Sequence, residues 1–340
     1  MQEIYPPILK LPPRKTTVTA SIVIPNWNGH KLLKICLPSL TAQTFLDFEI
    51  IVVDNGSTDE SIQYIEENFP QVNLIKLPLN IGFSPAANKG ILVSKGTYII
   101  LINNDTKVDK DCIRNLVSAA NLHPEVGMVA AKMLQFFNPE LIDSAGDYID
   151  MVGHADNIGF GEPSEKFKTS NFVFLVTGGG GLFKREMLEK IGLFDETFFA
   201  YYEDVDLCLR AQMAGFKGWF ESTAKIWHIH KATSRKNLKL TEYLQFRNMT
   251  QTIITDFPAK LFKNPYHLLM LFLVNLNTVR FLGTHGYFKE AISSEWYILK
   301  NWQKLIQKRR AVQQMKKVSD EYMLQNIRPK KITWFGLIKV

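Results

Sequence analysis

The sequence has few cysteines and nothing that resembles a secretory signal peptide. Cys36, Cys112 and Cys208 are isolated thiols without CxxC spacing, each inside an apolar stretch. This spacing argues against zinc ligands and disulfide bridges, and it predicts buried, reduced cysteines in a reducing compartment. Residues 1–17 contain proline pairs and no apolar core segment, so we expect no signal peptide.

Most of the chain has no excess of positive charge. The net charge is +7, yet residues 284–318 carry +6 and residues 319–340 carry +2, which leaves residues 1–283 at about −1. A near-neutral body whose helices lack interleaved aromatic readout surfaces does not match a nucleic-acid interface. We therefore expect no nucleic-acid partner.

The first third of the chain alternates between two kinds of pattern. Near-continuous apolar runs predict strands at 19–24, 48–53, 72–77 and 98–102, and helical spacing predicts helices at 30–40, 57–69 and 84–93. Such an order is typical of an α/β fold with a parallel sheet covered on both faces. Ligand chemistry is then expected at the carboxyl ends of the strands.

The rest of the chain is less regular. Residues 133–169 show no clear pattern, a strand is predicted at 172–176, helices at 184–191 and 204–214, a short strand at 225–229, and helices from 240 to about 323. We divide the chain into an N-terminal extension (1–18), an α/β domain (19–250) and a helical, basic C-terminal region (251–340).

Polar residues follow three of the predicted strands. Asn28, Asp54 and Asp105 lie where strands end, so their side chains can point into the crevice above the sheet. Asp54 could accept hydrogen bonds from a base or ribose, and Asp105 could hold a hard cation that bridges diphosphate oxygens. The alternative for each is a cap on the following helix.

Two further motifs carry candidate chemistry. The run Gly178–Gly181 lacks the spacing of a dinucleotide loop, so it predicts a loop that lets substrate approach closely. Glu203, Asp204 and Asp206 crowd three carboxylates into a helix start, which suits a general base or, alternatively, a cluster that stabilises the helix dipole. One of His228 and His230 is a candidate third metal contact beside Asp105.

Seven motifs follow one another along the chain: SIVIPNWNG, VVDNGSTDES, NIGFSPAANKG, LINNDT, TGGGGLFKREML, GLFDETFFAYYEDVDLCLRAQMAGFK and KIWHIHKATS. In content and order they resemble the motifs of the inverting family 2 glycosyltransferases, in particular their bacterial rhamnosyltransferase-like branch. The resemblance covers roughly residues 19 to 250. It implies a GT-A fold, in which a Rossmann-like nucleotide half with a mixed, mainly parallel sheet joins an acceptor half, here followed by a C-terminal helical extension.

The resemblance also implies roles for individual residues. Asp105 matches the metal-binding end of the family's DxD motif, which reads Asn103-Asn104-Asp105 here and so has an amide in place of its first carboxylate. The implied metal is Mg²⁺ or Mn²⁺, with His228 as the second ligand and His230 as the alternative. Asp204 matches the catalytic base, supported by Glu203. The implied nucleotide-binding residues are Pro25, Asn28, Asp54, Asn88 and Asn104, and the implied acceptor-binding residues are Gly179, Gly180 and Asp206.

The expected function is metal-dependent, inverting transfer of a sugar from a nucleotide-sugar donor, rhamnose from dTDP-L-rhamnose, in cell-surface polysaccharide synthesis. The expected acceptor is a glycan or a polyprenyl-diphosphate-linked saccharide. A UDP-hexose-using transferase and a non-catalytic nucleotide-sugar binding protein remain alternatives. A nucleotidyltransferase is disfavoured, because residues 25–31 lack a Gly-rich, basic phosphate loop.

The C-terminal region is expected to hold the enzyme at the inner face of the plasma membrane, on the cytoplasmic side. Residues 267–274 are apolar, but polar residues interrupt the run too early for a span of about 20 residues. Apolar and basic residues alternate at helical spacing further on: Trp296, Leu299, Trp302, Leu305 and Ile306, with Lys300, Lys304, Lys308, Arg309 and Arg310. This predicts an amphipathic helix on anionic lipid. The alternative is a helical cap whose basic residues are simply solvated.

Overall fold

The computed structural model describes residues 8–229 and 237–329. The strands are β1 Val18–Asn26, β2 Phe48–Asn55, β3 Asn73–Leu77, β4 Gly96–Ile102, β5 Thr106–Val108, β6 Val126–Gln135, β7 Ile142–Ser144, β8 Asp147–Ile149, β9 Ala155–Asn157, β10 Asn171–Val173, β11 Gly180–Lys184 and β12 Lys217–His228. The helices are α1 His30–Thr41, α2 Ser61–Asn68, α3 Phe83–Val93, α4 Cys112–Leu122, α5 Arg185–Ile191, α6 Glu203–Met213, α7 Leu238–Asp256, α8 Ala259–Phe262, α9 Pro265–Thr284, α10 Phe288–Lys300, α11 Trp302–Gln314 and α12 Asp320–Asn326.

One mixed sheet organises the fold, in the order β10-β12-β6-β11-β4-β1-β2-β3. The long ladders β4-β1-β2-β3 and β12-β6 are parallel, and β11 enters antiparallel between β4 and β6. Successive residues of β1 point to opposite faces: Val23 packs in one core cluster, while Ile22 and Ile24 pack in the other. The apolar strand runs therefore bury both faces of the sheet, which confirms the predicted α/β fold.

Several predicted elements differ from the observed ones. Helix α2 begins at Ser61 rather than at residue 57, because Ser57 and Thr58 bond in the preceding loop to the side chains of Asp54 and Asn28. The predicted strand at 225–229 is the end of the longer strand β12. Gly180 and Gly181, predicted as part of a substrate loop, begin β11. The length of β12 and the start of β11 both depend on pairing with distant strands, which leaves no local pattern in the sequence.

The C-terminal helices pack against one another and against the α/β body. Helix α7 runs through the boundary predicted at residue 250. Lys308 on α11 is buried and pairs with Asp195 at 2.6 Å and with Asp206 on α6 at 2.7 Å. Arg309 donates to the carbonyls of Ile254 and Phe257, and Leu305 is buried. The prediction that Leu305 and Lys308 belong to a lipid-facing surface is therefore wrong, since both lie in the interior.

Exposed apolar side chains nevertheless cover the outer face of α9 and α10. Phe272 is 63% exposed, Trp296 66% and Leu299 67%. By length and composition alone, α9 could cross a membrane. Its inner side, however, packs on the body through Met270 and Val274, which cluster with Val152. The helix thus lies along the protein surface.

Candidate functional site

A cavity of about 1020 Å³ opens above the carboxyl ends of β1 and β4. Its walls come from the sheet, from the segment before α6 and from the first turns of α7. Eight of the residues singled out from the sequence line it: Pro25, Asn104, Asp105, Gly178, Gly179, Glu203, Asp204 and His228. Residues far apart in the sequence thus converge on one crevice.

Asp105 and His228 come together because β5 pairs with the end of β12, with His228 opposite Thr106. The Nε2 atom of His228 lies 3.3 Å from Asp105 Oδ1, and its Nδ1 atom lies 2.8 Å from Asp143 Oδ2. Burial lowers the pKa of His228, but the hydrogen bonds with Asp105 and Asp143 outweigh burial and raise the pKa to about 10. His230, the alternative ligand, lies outside the described residues.

The chemistry of this donor set fits a divalent cation shared with a substrate. Within residues 8–229 and 237–329, no three His, Cys, Asp or Glu side chains form a complete metal-binding group. Mg²⁺ usually takes one or two carboxylates from protein and the rest of its ligands from phosphates and water. One carboxylate oxygen and one imidazole nitrogen beside each other, with Asp143 fixing the ring, suit that arrangement.

Two carboxylates from the start of α6 line the cavity. Asp204 Oδ2 accepts a hydrogen bond from Gly178 N at 2.9 Å, and its Oδ1 accepts one from Val205 N at 2.8 Å. Burial raises the pKa of Asp204 despite these hydrogen bonds, which lower it. Burial, and then the charge of Asp204, raise the pKa of Glu203 well above its ordinary range. Carboxylates perturbed in this way inside a cavity are candidates for a general base.

The short segment before α6 adopts an unusual backbone. Phe199, Tyr201 and Tyr202 have φ angles of 65°, 68° and 67°, in the left-handed region that non-glycine residues rarely adopt. Phe199 and Tyr201 line the cavity. The carbonyl of Tyr202 accepts from Asp206 N in the first turn of α6. Strained backbone therefore leads directly into the residues that carry the carboxylates.

Three predicted nucleotide-binding residues lie outside the cavity lining. Asp54 is fully buried and accepts hydrogen bonds from Asn26 and from Ser57 N. Asn28 Oδ1 accepts from Thr58 N. Asn88 bonds to the backbone of Phe194 in both directions. The structure thus shows all three holding loops in place, and their direct contact with a nucleotide stays a prediction.

Two predicted acceptor-binding residues also lie elsewhere. Asp206 is fully buried in ion pairs with Arg210, at 2.6 Å, and with Lys308. It faces the opposite side of α6 from the cavity and ties that helix to α11. Gly180 lies in β11, where an added Cβ would meet Met133 and Ile226. Neither residue lines the cavity, so the structure gives no support to the predicted acceptor contacts.

Gly179 lines the cavity for a reason that the sequence did not reveal. A Cβ at this position would lie 2.5 Å from the side-chain amide of Asn103. An added Cβ at Gly178 would likewise press on Asp204, at 3.2 Å. These glycines thus make room for neighbouring polar side chains of the site.

The sequence analysis missed other residues of the site. Asp143 lies in the region without a clear pattern, and its contact with His228 depends on β6 pairing with both β7 and β12. Cavity-lining residues that were not selected include Trp27, Asn55, Asn80, Phe83, Asn103, Thr177, Phe199, Tyr201, Leu240, Thr241 and Gln245. Trp27 and Asn103 belong to motifs that the sequence analysis recognised, so their place in those motifs could have identified them as site residues.

Comparison with solved structures supports the same fold. GalNAc-T7, in a crystal structure with UDP, GalNAc and Mn²⁺, aligns with a TM-score of 0.62 at 16% identity, over 85% of this chain and 58% of that one. S. aureus TarS aligns with a TM-score of 0.51 at 15% identity, over 87% of this chain and 55% of that one. At these identities the likeness concerns the fold, and the predicted GT-A fold is confirmed.

Comparison with known sequences adds the family. The chain is 31% identical over 235 residues to the O-antigen biosynthesis protein RfbC of Myxococcus xanthus, covering 66% of this chain and 18% of that protein. It is 26% identical over 226 residues to an N-acetylglucosaminyl-diphospho-decaprenol L-rhamnosyltransferase of Mycobacterium tuberculosis, covering 58% and 71%. A protein of Sinorhizobium fredii, y4gI, is 29% identical over 236 residues, and the chain spans only 26% of its length. The sequence profile of Glycosyl transferase family 2 matches residues 21–192, half of the chain. The chain belongs to glycosyl transferase family 2.

Proposed function

We propose that this chain transfers a sugar, with inversion, from a nucleotide-sugar donor to a saccharide acceptor in polysaccharide biosynthesis. The observation that carries the proposal is one cavity lined both by the pair Asp105 and His228 and by the pair Glu203 and Asp204. The first pair suits a diphosphate with its cation, and the second suits an acceptor hydroxyl.

In the proposed reaction, the acceptor oxygen attacks the anomeric carbon from the face opposite the diphosphate. The new C–O bond forms as the bond to the diphosphate oxygen breaks, and the hydroxyl proton passes to Asp204. The hydrogen bonds from Gly178 N and Val205 N hold both oxygens of Asp204 in place. Burial and the charge of Asp204 raise the pKa of Glu203 well above its ordinary range, which favours a protonated Glu203 beside Asp204.

Asp105 and His228 would hold Mg²⁺ or Mn²⁺ against the donor diphosphate. A divalent cation there supplies charge stabilisation to the leaving diphosphate. Asp143 accepts at Nδ1 of His228, so the Nε2 atom is the one presented to the cavity. The crystal structure of GalNAc-T7, a protein of similar fold, contains Mn²⁺ together with UDP, which supports a divalent metal as a partner of the donor.

The proposed donor is dTDP-L-rhamnose, with a UDP-hexose as the second candidate. Similarity to the mycobacterial rhamnosyltransferase supports the first, and the UDP in the GalNAc-T7 crystal structure supports the second. The name of the mycobacterial enzyme also supports a polyprenyl-diphosphate-linked acceptor. Thermal shift with a panel of dTDP- and UDP-sugars in Mn²⁺ tests the donor, because a bound ligand stabilises the native state.

The outcomes of that panel separate the alternatives. Stabilisation and turnover by dTDP-rhamnose support the proposal, and turnover with UDP-sugars alone overturns the donor. Binding without turnover of any donor would leave a non-catalytic nucleotide-sugar binding protein.

The metal is tested separately. Asp105→Ala should abolish transfer, and EDTA should mimic it. Full activity in EDTA would exclude the metal.

We also propose that the outer face of α9 and α10 rests on an anionic membrane surface at the cytoplasmic side. Exposed aromatic and aliphatic side chains there offer the apolar contact, and the exposed residues Arg280, Lys289 and Lys300 on the same helices offer the positive charge. Each basic residue near such a surface contributes on the order of 1 kcal/mol. A lipid-linked acceptor would be met at this surface.

A further inference from the structure

The strained segment before α6 is held by the side chain of one fully buried asparagine on α7. Asn248 Nδ2 lies 3.0 Å from the carbonyl oxygen of Phe198, 2.8 Å from that of Ala200 and 2.7 Å from that of Tyr201. These carbonyls belong to the stretch where two of the three left-handed residues occur. The amide has two N–H groups for these three carbonyls, so at least one hydrogen is shared between two of them.

A neighbouring arginine fixes the orientation of this amide. Arg247 Nε donates to Asn248 Oδ1 at 2.8 Å, which leaves Nδ2 as the atom that faces the carbonyls. The guanidinium also donates to the carbonyls of Thr197 and Phe198, at 2.8 and 2.9 Å. Arg247 in turn packs against the rings of Tyr243 and Tyr297. The side chains of Arg247 and Asn248, which hold the segment, are thus supported by α7 and α10 rather than by the sheet.

The opposite side of the segment is fixed as well. Ser84 N donates to the carbonyl of Phe199, and Gly82 fits there only because it lacks a Cβ, which would lie 2.6 Å from Phe199. The segment is therefore held between α3 and α7, and its end at Tyr202 continues into Glu203 and Asp204. A change in its path would therefore be passed on to the first turn of α6, where the carboxylates lie.

We propose that Asn248 is a positioning residue, which acts through residues 198–202 to set the place of Asp204 in the cavity. The inference rests on the proposed function for the role of Asp204. It assigns part of the catalytic geometry to α7, a helix that also lines the cavity through Leu240, Thr241 and Gln245. A general base misplaced by about 1 Å can cost on the order of 100-fold in rate.

The test compares Asn248→Ala with Gln43→Ala in the full chain. Gln43 is a matched control, since it is a buried amide that donates to two backbone carbonyls, of Ser39 and Asp109, and accepts from Ile113 N, away from the cavity. Asn248→Ala should lower kcat by about 10- to 100-fold with the donor KM within about threefold of the wild type. Amide hydrogen exchange should speed up in residues 197–206. Gln43→Ala should change neither kcat nor the exchange rates in residues 197–206, although it too should lower the stability of the protein.

The possible outcomes distinguish a failure of the positioning proposal from a failure of the proposed function. If the wild type is active and Asn248→Ala keeps the kcat of Gln43→Ala, or shows no faster exchange in residues 197–206, the positioning proposal is overturned alone. If the wild type turns over no nucleotide sugar, the proposed function falls, and the positioning proposal falls with it. Should Asn248→Ala fail to fold, Arg247→Lys serves instead, because it removes the Nε donor that orients Asn248 and should give the same split between kcat and KM.

Discussion

His228 lies between two carboxylates, with Asp143 on its Nδ1 atom at 2.8 Å and Asp105 near its Nε2 atom. The contact with Asp143 orients the imidazole ring so that one nitrogen remains for the cavity. Partners of this kind behind a metal-binding histidine typically affect metal affinity by about 10- to 100-fold. The pair His228 and Asp143 thus extends the proposed metal site beyond its direct ligands.

Asp143→Asn should therefore weaken Mn²⁺ binding by about 10- to 100-fold while leaving the fold intact. Calorimetric titration of Mn²⁺ in the presence of a nucleoside diphosphate measures this directly. Asp47→Asn, at an exposed carboxylate bonded to Thr19, is the matched control. Equal Mn²⁺ affinity in the two variants would show that Asp143 does not support a metal site.

The buried Glu203 should make stability depend on pH. Its pKa in the folded protein lies well above the ordinary value of 4.5 because of burial and the charge of Asp204. The stability that protonated Glu203 contributes is fully present below the pKa of the unfolded state. It is lost as pH rises from that value through the higher pKa of the folded state. Glu203→Gln cannot lose a proton, so its unfolding free energy relative to the wild type should increase as pH rises above 4.5.

Urea unfolding of the wild type and Glu203→Gln at several pH values from 5 upward checks this. The exposed Glu67→Gln serves as the control for removing a carboxylate from a helix surface. Parallel stability curves for the wild type and Glu203→Gln would contradict the burial of an ionisable Glu203.

Lys308→Ala should cost about 3–5 kcal/mol of stability, since it leaves the carboxylates of Asp195 and Asp206 buried without this cation. The exposed Arg310→Ala on the same helix should change stability by only about 0.5 kcal/mol. Denaturant unfolding of both variants measures the difference. Similar small losses in the two would mean that α11 is dispensable to the α/β body.

Membrane attachment is tested by flotation with liposomes. Phe272→Glu and Trp296→Glu place charge on the outer face of α9 and α10 and should abolish binding to anionic vesicles at low salt. Leu122→Glu changes an equally exposed residue of α4 and should leave binding intact. Binding that ignores lipid charge and salt, or that survives both substitutions, would overturn the membrane proposal.

The sequence predicted best what depends on local pattern. The strands and helices from β1 to β4 follow from apolar periodicity, and the prediction that Cys36, Cys112 and Cys208 are buried and free of disulfides is confirmed. Asp105, His228 and Asp204 were selected by motif, and the structure brings them to one cavity. Whether they bind metal or take a proton stays a prediction.

What the sequence could not predict depends on contacts between distant segments. Asp143 reaches His228 only through the pairing of β6 with two other strands. Asp206 stands two residues from Asp204 in a motif full of carboxylates, yet the helical turn points it away, toward Lys308 on α11. Asn248 gains its significance from three carbonyls about fifty residues earlier in the chain.

The most direct test of the proposed function is the turnover of Asp204→Asn with saturating donor, alongside Glu203→Gln. The substitution keeps the size of the side chain but removes its basicity. We expect kcat to fall about 10²- to 10⁴-fold while the affinity for the nucleotide-sugar donor is preserved. Turnover at the wild-type level in Asp204→Asn would contradict Asp204 as the base, and a comparable loss in Glu203→Gln alone would assign that role to Glu203.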